Sequence, residues 1–320
     1  MPTPPSVLSA LLAPGCCAPL ALILVAPAGA QSDGAIEFPI RYDVGDRWRI
    51  VAERNISEVA NGQEMSAHAT ISSTYELNEA DDYGYSATWI IEEVEVSGDG
   101  SVGYAISPED LIGEPIEYSA SADGAPLEIV NWDEVLDSLL EDVDRQLSSS
   151  REEIARQAAR EVITSWGPEL GAQLILKDAF GISLCQGLRL EPNIPQTYET
   201  VLPNPFGGEA IAATGEYVLT SIDSDANIAE IHWRLFFDPD SAMQILEESL
   251  QGVVDGVEGG SSSDDLSLEG VAFDRQDSAV CLVDTESGNV VKITHHTSIL
   301  VANNSREEVA TIERRAVSPR

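Results

Sequence analysis

Histidine and cysteine are the residue types in this chain best suited to nucleophilic or metal chemistry, and there are four of each. No histidine has a second histidine four positions away, and no CxxC or Cys/His pattern has metal-ligand spacing. The sequence also lacks a serine-hydrolase elbow, a Walker loop and a dinucleotide fingerprint. We therefore predict no catalytic residue, no metal site and no cofactor, and we expect that the protein is not an enzyme.

His295 and His296 are adjacent in a predicted strand and must point to opposite faces, so they cannot ligate one metal ion together. His295 shares its face with Ile293 and Ile299. We favour a hydrogen-bonded core histidine here, because buried polar groups usually have partners. The alternative interpretation is a polar group inside a ligand cavity.

Residues 223–227 (DSDAN) are similar to the opening of a calcium-binding loop. However, Ile228 occupies the sixth position, where glycine is required, and Arg234 occupies the twelfth, where glutamate belongs. We predict a hairpin turn at this segment. Weak binding of divalent cations stays open, since the chain is rich in carboxylates.

The first thirty residues have the pattern of a signal peptide. They contain no charged side chain, carry the apolar stretch LALILV at 20–25 and end with Ala28, Gly29 and Ala30. We predict cleavage after Ala30 and a periplasmic or secreted protein. A basic segment is missing before the apolar stretch, so retention as an anchor is the alternative, and lipidation at Cys16 is a less favoured one.

Cleavage would leave Cys185 and Cys281 as the only cysteines. Two cysteines in an oxidising compartment predict one disulfide. The alternative is two separate buried thiols, because free cysteine is often buried.

The charge of the chain excludes two classes of partner. With 55 acidic and 17 basic residues its net charge is −38, which argues against binding to nucleic acid or to anionic membranes. The span from Asn55 to Asp144 holds 22 Asp or Glu residues and no Lys or Arg. We interpret it as a solvated negative surface that keeps the protein soluble. Docking to a basic partner or to divalent cations is the alternative.

The elements that must position these residues begin with a predicted antiparallel meander. Runs with β-type composition lie at 47–51, 69–75 and 85–91, and turn-forming Asn-Gly or Asp-Gly pairs lie at 61–62, 99–100 and 123–124. From Asn131 the period changes, because apolar residues at 132, 135, 136, 139, 140, 143 and 147 share one helix face. Asn131 is expected to cap that helix, and Gly167 with Pro168 is expected to end a second helix before a third, short one.

Strands return after Gln196. In the predicted strand at 228–237, alternate residues from Ala229 to Phe237 share one apolar face. A further helix is predicted from Asp240 or Ser241, followed by an acidic Gly/Ser linker near 259–265 and a closing three-strand meander that includes 290–301 and 307–315.

The predicted organisation is thus a signal peptide at 1–30 and one domain at 31–320. That domain comprises an antiparallel meander at 31–130, a helical insertion at 131–182, and antiparallel strands with one helix at 183–320. The fold class is α+β, because helices are segregated from antiparallel strands. We expect a curved, half-barrel-like antiparallel sheet with the helical insertion covering one face.

Two resemblances follow from these residues. The segments at 42–48 (YDVGDRW) and 111–118 (LIGEPIEY), with Asp123-Gly124 after them, resemble a YxxGD strand entry and an LxGxPxxY…DG hairpin of uncharacterised exported bacterial proteins. This resemblance implies an envelope location and no known activity. The order of sheet, helices and sheet is similar to that of half-barrel lipoprotein carriers, which shelter an acyl chain beneath helices.

A curved sheet covered by amphipathic helices either fills its interior with side chains or leaves a cavity. Our first hypothesis is a non-enzymatic envelope or secreted protein that binds an apolar, lipid-like ligand between sheet and helices. The alternative is a structural or interaction protein whose acidic face binds cations or a basic partner. The candidates for lining a cavity are Trp89, Trp166, Trp233, Phe236, Phe237 and His295.

Overall fold

A computed structural model describes residues 34–60, 62–81, 83–98, 108–147, 153–202, 211–238, 241–244, 273–301 and 304–317. The predicted signal peptide, the turn at 99–100 and the Gly/Ser linker near 259–265 lie outside the described residues. Of the helix predicted from residue 240 or 241, only 241–244 are described, and these are helical.

Most described strands belong to one antiparallel sheet. The strands are β1 (Ile36–Glu37), β2 (Arg47–Ala60), β3 (Gln63–Ala80), β4 (Gly84–Gly98), β5 (Pro115–Ser121), β6 (Pro126–Ile129), β7 (Arg189–Leu190), β8 (Gln196–Leu202), β9 (Ile211–Asp223), β10 (Ile228–Phe237), β11 (Phe273–Asp284), β12 (Val290–Val301) and β13 (Asn304–Ala316).

Eleven of these strands form a sheet in the order β6-β5-β4-β3-β2-β13-β12-β11-β10-β9-β8. The sheet is curved and not closed, which confirms the predicted α+β class. The remaining two, β1 and β7, pair with each other in a small separate sheet. Residues 36–37 therefore do not join the first meander, which starts at β2.

The helices lie between the two halves of the sheet in sequence, as predicted. They are α1 (Trp132–Gln146), α2 (Glu153–Thr164), α3 (Gly167–Ile175) and α4 (Lys177–Ser183), and a short 3₁₀ helix at Pro108–Leu111 precedes β5. Gly167 takes a φ of +66°, which interrupts the chain between α2 and α3 where the Gly-Pro pair predicted a stop. None of the described helices is long and apolar enough to span a bilayer.

The prediction that the Asn131 side chain caps α1 is wrong. Asn131 does occupy the position before the helix, but its side chain makes no cap hydrogen bond. Instead its Oδ1 accepts the Glu117 N–H at 2.9 Å and its Nδ2 donates to the Pro115 carbonyl at 2.9 Å. The side chain therefore ties the start of α1 to β5, since a nearby strand offers it both a donor and an acceptor.

Two predicted turns are confirmed by their hydrogen bonds and backbone angles. The Asp223 carboxylate accepts the backbone N–H groups of Asp225 and Ala226, both at 3.0 Å, in the hairpin between β9 and β10. Between β5 and β6, Gly124 has a φ of +91°. Both segments are explained by turn chemistry.

The inner face of the sheet is the face that packs against the helices. Along β10 the buried residues are Ala229, Ile231, Trp233 and Leu235, so the predicted alternation is confirmed. Helix α4 lies close to β13, because a Cβ added to Gly181 would lie 2.6 Å from the Ile312 Cδ1. The inner face is therefore covered at close range by α4.

Candidate ligand cavity

The aromatic candidates from the sequence occupy different environments. Trp89 is 3% exposed on β4, and Trp233 is 1% exposed on β10, where its indole N–H donates to the Tyr198 hydroxyl at 2.8 Å. Trp166, just before α3, is half-buried against the core. These three tryptophans belong to the interior, and Trp89 lines the cavity described below.

The two phenylalanines lie on opposite faces of β10. Phe237 is partly buried on the inner face, with the Arg275 guanidinium 5.1 Å from its ring centroid. Phe236 is 50% exposed on the outer face. Adjacent residues of a strand point to opposite sides, so the pair does not line one cavity together.

His295 lies on the inner face near Trp233, with 5.9 Å between the ring centroids. Its Nε2 is 3.8 Å from the Asp277 carboxylate, and the side chain is 28% exposed. Burial lowers the pKa of His295, although the carboxylates of Asp277 and Glu308 oppose this effect. Near neutral pH the histidine is therefore held uncharged.

A cavity lies between the inner face of β2–β4 and the helices. Its volume is about 50 Å³. Most of its wall is apolar, and one end is polar. The lining residues are Arg54, Ile71, Ser73, Trp89, Ile91, Pro108, Leu111, Leu174, Ile175, Lys177 and Asp178.

Ser73 is the polar residue of the cavity wall contributed by β3. It is 1% exposed, and its hydroxyl has no hydrogen-bond partner. On the sheet it lies between Ile50 of β2 and Ile91 of β4, so its strand neighbours offer it no polar side chain. A buried hydroxyl that faces a cavity without a partner is a feature that a bound polar group would satisfy.

The polar end of the cavity is built from charged side chains of the sheet and of α4. Arg54, 6% exposed on β2, donates to the Asp178 carboxylate of α4 and to the Glu308 carboxylate of β13, the latter at 2.5 Å. The ammonium-bearing Lys177 lies beside Asp178 in the same wall. This arrangement ties α4 to the two central strands of the sheet.

Glu308 is ionised in this environment. Burial alone would raise its pKa, but the positive charges of Arg54, Lys177 and Arg306 outweigh burial and lower the pKa to about 2. Its second oxygen accepts from the Arg306 guanidinium at 3.2 Å. The charge pairs therefore continue along the inner face beyond the cavity.

The charged side chains on the inner face beyond the cavity are also paired. Arg306 is 3.9 Å from the Glu58 carboxylate, and Arg275 is 2.8 Å from Asp277. The Asp277 carboxylate also accepts from the Thr297 hydroxyl at 2.6 Å. We call these pairs, together with Arg54, Lys177, Asp178, Glu308 and His295, the inner charge cluster.

Sequence reasoning missed Ser73 and every member of the inner charge cluster except His295. Arg54 lies in the polar run Glu53-Arg54-Asn55, just beyond the predicted strand at 47–51. Its partners Asp178 and Glu308 are 124 and 254 positions away. The burial of Arg54 could have been predicted from alternation along the strand. Alternate residues of a strand share a face, so Arg54 lies on the same face as Ile50 and Ala52.

The predicted disulfide is present. Cys185, just after α4, is bonded to Cys281 of β11, and both residues are fully buried. The bond fastens the end of the helical insertion to the inner face of the sheet. The alternative of two separate thiols is therefore excluded.

A larger depression lies on the helix surface and is open to solvent. It measures about 730 Å³ and is lined by α2 and the end of α1, including Arg156, Arg160 and Asp144. Arg160 and Asp144 are ion-paired at 2.8 Å, with side chains that are 40% and 49% exposed. Among the described residues, no three His, Cys, Asp or Glu side chains converge in a way that could hold a metal ion.

Comparison with known proteins places the chain in no family. No family model matches the sequence, and no curated protein matches it. The resemblance to uncharacterised exported proteins therefore stays a prediction.

Solved structures give distant matches, two of which are bacterial proteins with lipoprotein-related names. The hypothetical lipoprotein YmcC of Escherichia coli has 7% identity and a TM-score of 0.25, over 84% of this chain and 86% of that one. A domain of Vibrio parahaemolyticus, provisionally named an outer membrane lipoprotein-sorting protein domain, has 8% identity and a TM-score of 0.18, over 85% and 87%.

Lipovitellin is a further match, in a structure concerned with its lipid–protein interactions. Identity is 12% and the TM-score is 0.44, over 88% of this chain. The chain spans about a quarter of the lipovitellin chain, since the match covers 26% of it. With TM-scores of this size, none of the three likenesses supports an inference about function or about individual residues.

Proposed function

We propose that the protein is an exported, non-enzymatic protein of the envelope or the extracellular space that binds an apolar ligand between helices and sheet. The observation that carries the proposal is the cavity beside Trp89, whose apolar wall contains the buried and unpartnered hydroxyl of Ser73. Ligand sites typically combine an apolar lining with a few polar groups that orient the ligand.

Export is supported by the signal-peptide pattern at 1–30 and by the buried Cys185–Cys281 disulfide, because disulfides persist in oxidising compartments. A non-enzymatic role is supported by the chemistry of the cavity. Arg54 and Asp178 are ion-paired with each other, and the Ser73 hydroxyl makes no hydrogen bond with a base that would activate it as a nucleophile.

The size of the cavity bears on how a ligand enters. A volume of about 50 Å³ is a third of the roughly 150 Å³ of a cavity that admits benzene. The space therefore receives the terminal group of a ligand, and a longer body requires α3 to move away from β3 and β4.

The test is native mass spectrometry of the protein purified from the periplasm of an expression host, followed by organic extraction. We expect a discrete additional mass that extracts as an apolar compound. The Ile91→Phe variant fills the cavity and should lose this mass. Its matched control is Ile90→Phe on the opposite face of the same strand, which should retain it.

A bare protein mass for the wild type, together with no binding of added octan-1-ol, would overturn the proposal. Retention of the bound mass by Ile91→Phe, with unchanged circular dichroism, would place the ligand elsewhere and overturn the assignment of the cavity. In either case the exposed acidic residues would become the feature to study.

A further inference from the structure

The polar end of the cavity carries no net charge among the described residues. The wall contains Arg54 and Lys177, which are positive, and Asp178, which is negative. Glu308 is not in the wall but is ion-paired with Arg54, so these four side chains carry two charges of each sign. A charge that entered with a ligand would have no opposite charge left over to compensate it. Burying an uncompensated charge is costly, because it loses its hydration without gaining a partner.

The balance extends over the whole inner charge cluster. Arg306 adds a positive charge and Glu58 a negative one, and Arg275 is matched by Asp277. The imidazole of His295 is held uncharged by burial. Because every pair is balanced, a rearrangement within the cluster would not release an excess charge to receive an ionic ligand.

The rest of the molecule makes an anionic ligand still less suitable. The chain carries a net charge of −38, which repels anions at long range and attracts cations. A carboxylate or phosphate head group would therefore meet a repulsive field outside and an already neutral site inside. A cation would be attracted by the field but would find no unmatched carboxylate within the cavity.

Ser73 matches an uncharged polar group instead. Its hydroxyl can both donate and accept a hydrogen bond, and it stands 1% exposed among apolar neighbours with no partner. An alcohol, an amide or a carbonyl at the end of an apolar body would complete this hydrogen bond without bringing a charge.

Resting on the proposed function, we infer that the ligand is a neutral amphiphile that hydrogen-bonds to Ser73 through an uncharged polar group, rather than a fatty acid, a phosphate ester or an amine. The charge balance of Arg54, Lys177, Asp178 and Glu308 and the unsatisfied Ser73 hydroxyl are the two independent observations behind it.

The test compares three probes with the same eight-carbon chain, octan-1-ol, octanoate and octylammonium, by isothermal titration calorimetry near neutral pH. The full exported protein is used with its disulfide formed. We expect octan-1-ol to bind at least about tenfold more tightly than either ion, since an ion that enters a neutral buried site loses its hydration without gaining an opposite charge. High salt should weaken octylammonium further, because it screens the long-range attraction.

Two variants test whether the Ser73 hydroxyl hydrogen-bonds to the ligand. Ser73→Ala should bind octan-1-ol about fivefold more weakly, as expected for one neutral hydrogen bond. The matched control is Ser72→Ala, because Ser72 is also buried in β3 but faces outward, where its hydroxyl accepts from Arg49 at 3.2 Å. That variant should bind octan-1-ol as the wild type does.

The outcomes separate this inference from the proposed function. Octanoate or octylammonium binding as tightly as octan-1-ol, or Ser73→Ala and Ser72→Ala behaving alike, would overturn the neutral-ligand inference while the cavity proposal stands. If no probe binds but a native ligand extracts from the purified protein, the charge of its head group decides the inference directly. If no probe binds and no native ligand is present, the proposed function fails.

Discussion

Replacement of Ser73 by alanine should stabilise the ligand-free protein. Serine in β3 is 1% exposed there, and its hydroxyl has no partner. Leaving a buried hydroxyl without a hydrogen bond costs about 1–3 kcal/mol relative to its hydration in the unfolded chain. Removing one oxygen atom forfeits only a few tenths of a kcal/mol of packing. The balance is a gain of about 1 kcal/mol in the free energy of unfolding.

Ser72→Ala should change stability in the opposite direction. Ser72 is also buried, at 6% exposure, but its hydroxyl accepts from the Arg49 guanidinium at 3.2 Å. The loss of this hydrogen bond should lower the free energy of unfolding by about 1 kcal/mol. Two adjacent serines of one strand should therefore differ by about 2 kcal/mol, and the difference depends only on which face each occupies.

The assay is equilibrium urea unfolding of oxidised, ligand-free protein, followed by tryptophan fluorescence and far-ultraviolet circular dichroism. An unchanged dependence of the free energy on urea concentration would show that both variants unfold between the same states. If Ser73→Ala is less stable than the wild type by as much as Ser72→Ala, the hydroxyl has a partner in the native protein. The reasoning about an unsatisfied cavity group would then be refuted.

Three further perturbations test the inner charge cluster and the disulfide. Arg54→Leu should lower the free energy of unfolding by about 3–5 kcal/mol in urea titrations, because it takes the guanidinium from the buried Asp178 carboxylate and leaves Glu308 with Arg306 alone, and a loss below 1 kcal/mol would contradict the pairing. On acidification, stability should first fall as pH drops through about 6.5, because His295 has its pKa lowered by burial and the unfolded chain takes up the proton. The His295→Gln variant should lack this phase. Glu308, with its pKa at about 2 against 4.5 for the ordinary group, adds about 3 kcal/mol that is present above pH 4.5 and lost as the pH falls towards 2, and Glu308→Gln should lack this second phase. Reduction of the Cys185–Cys281 bond should cost up to about 4.7 kcal/mol, and since both sulfurs are buried it should require denaturant, so rapid reduction of the native protein would contradict the burial.

The sequence predicted those elements whose own residues specify them. The alternation along β10 needs no distant partner, and the turn at 223–227 is closed by the Asp223 carboxylate within the same segment. The disulfide was predicted with one alternative, because only two cysteines follow the signal-peptide pattern.

Features that depend on distant partners were not predictable in the same way. The run at 47–51 was predicted as a short strand, whereas β2 continues to Ala60. The continuation includes Arg54, whose burial is possible only because Asp178 and Glu308 come to it from other parts of the chain. Asn131 is a second example. Its side chain was expected to cap α1, but it hydrogen-bonds to the neighbouring strand β5 instead.

From the sequence, a cavity was one of two alternatives for the space between the curved sheet and the helices, the other being an interior filled with side chains. Trp89 was a lining candidate and borders the cavity, but Trp233 and Phe236 were candidates by residue type alone and do not. Ser73 has a residue type too common to stand out in a sequence. Its place became informative once the structure put it between Ile50 and Ile91 under the helices.

The order of the strands also has a consequence for how the chain matures. The first long strand, β2, and the last, β13, are neighbours at the middle of the sheet, where Arg54 and Glu308 meet from positions 254 apart. Contacts of such long sequence separation form slowly, because the intervening chain must first be brought together. Each meander can assemble from local hairpins, but the join between them waits until β13 has emerged from synthesis or translocation. Until then one edge of β2 presents unpaired backbone groups, so a chaperone that protects this strand would matter most before β13 is complete.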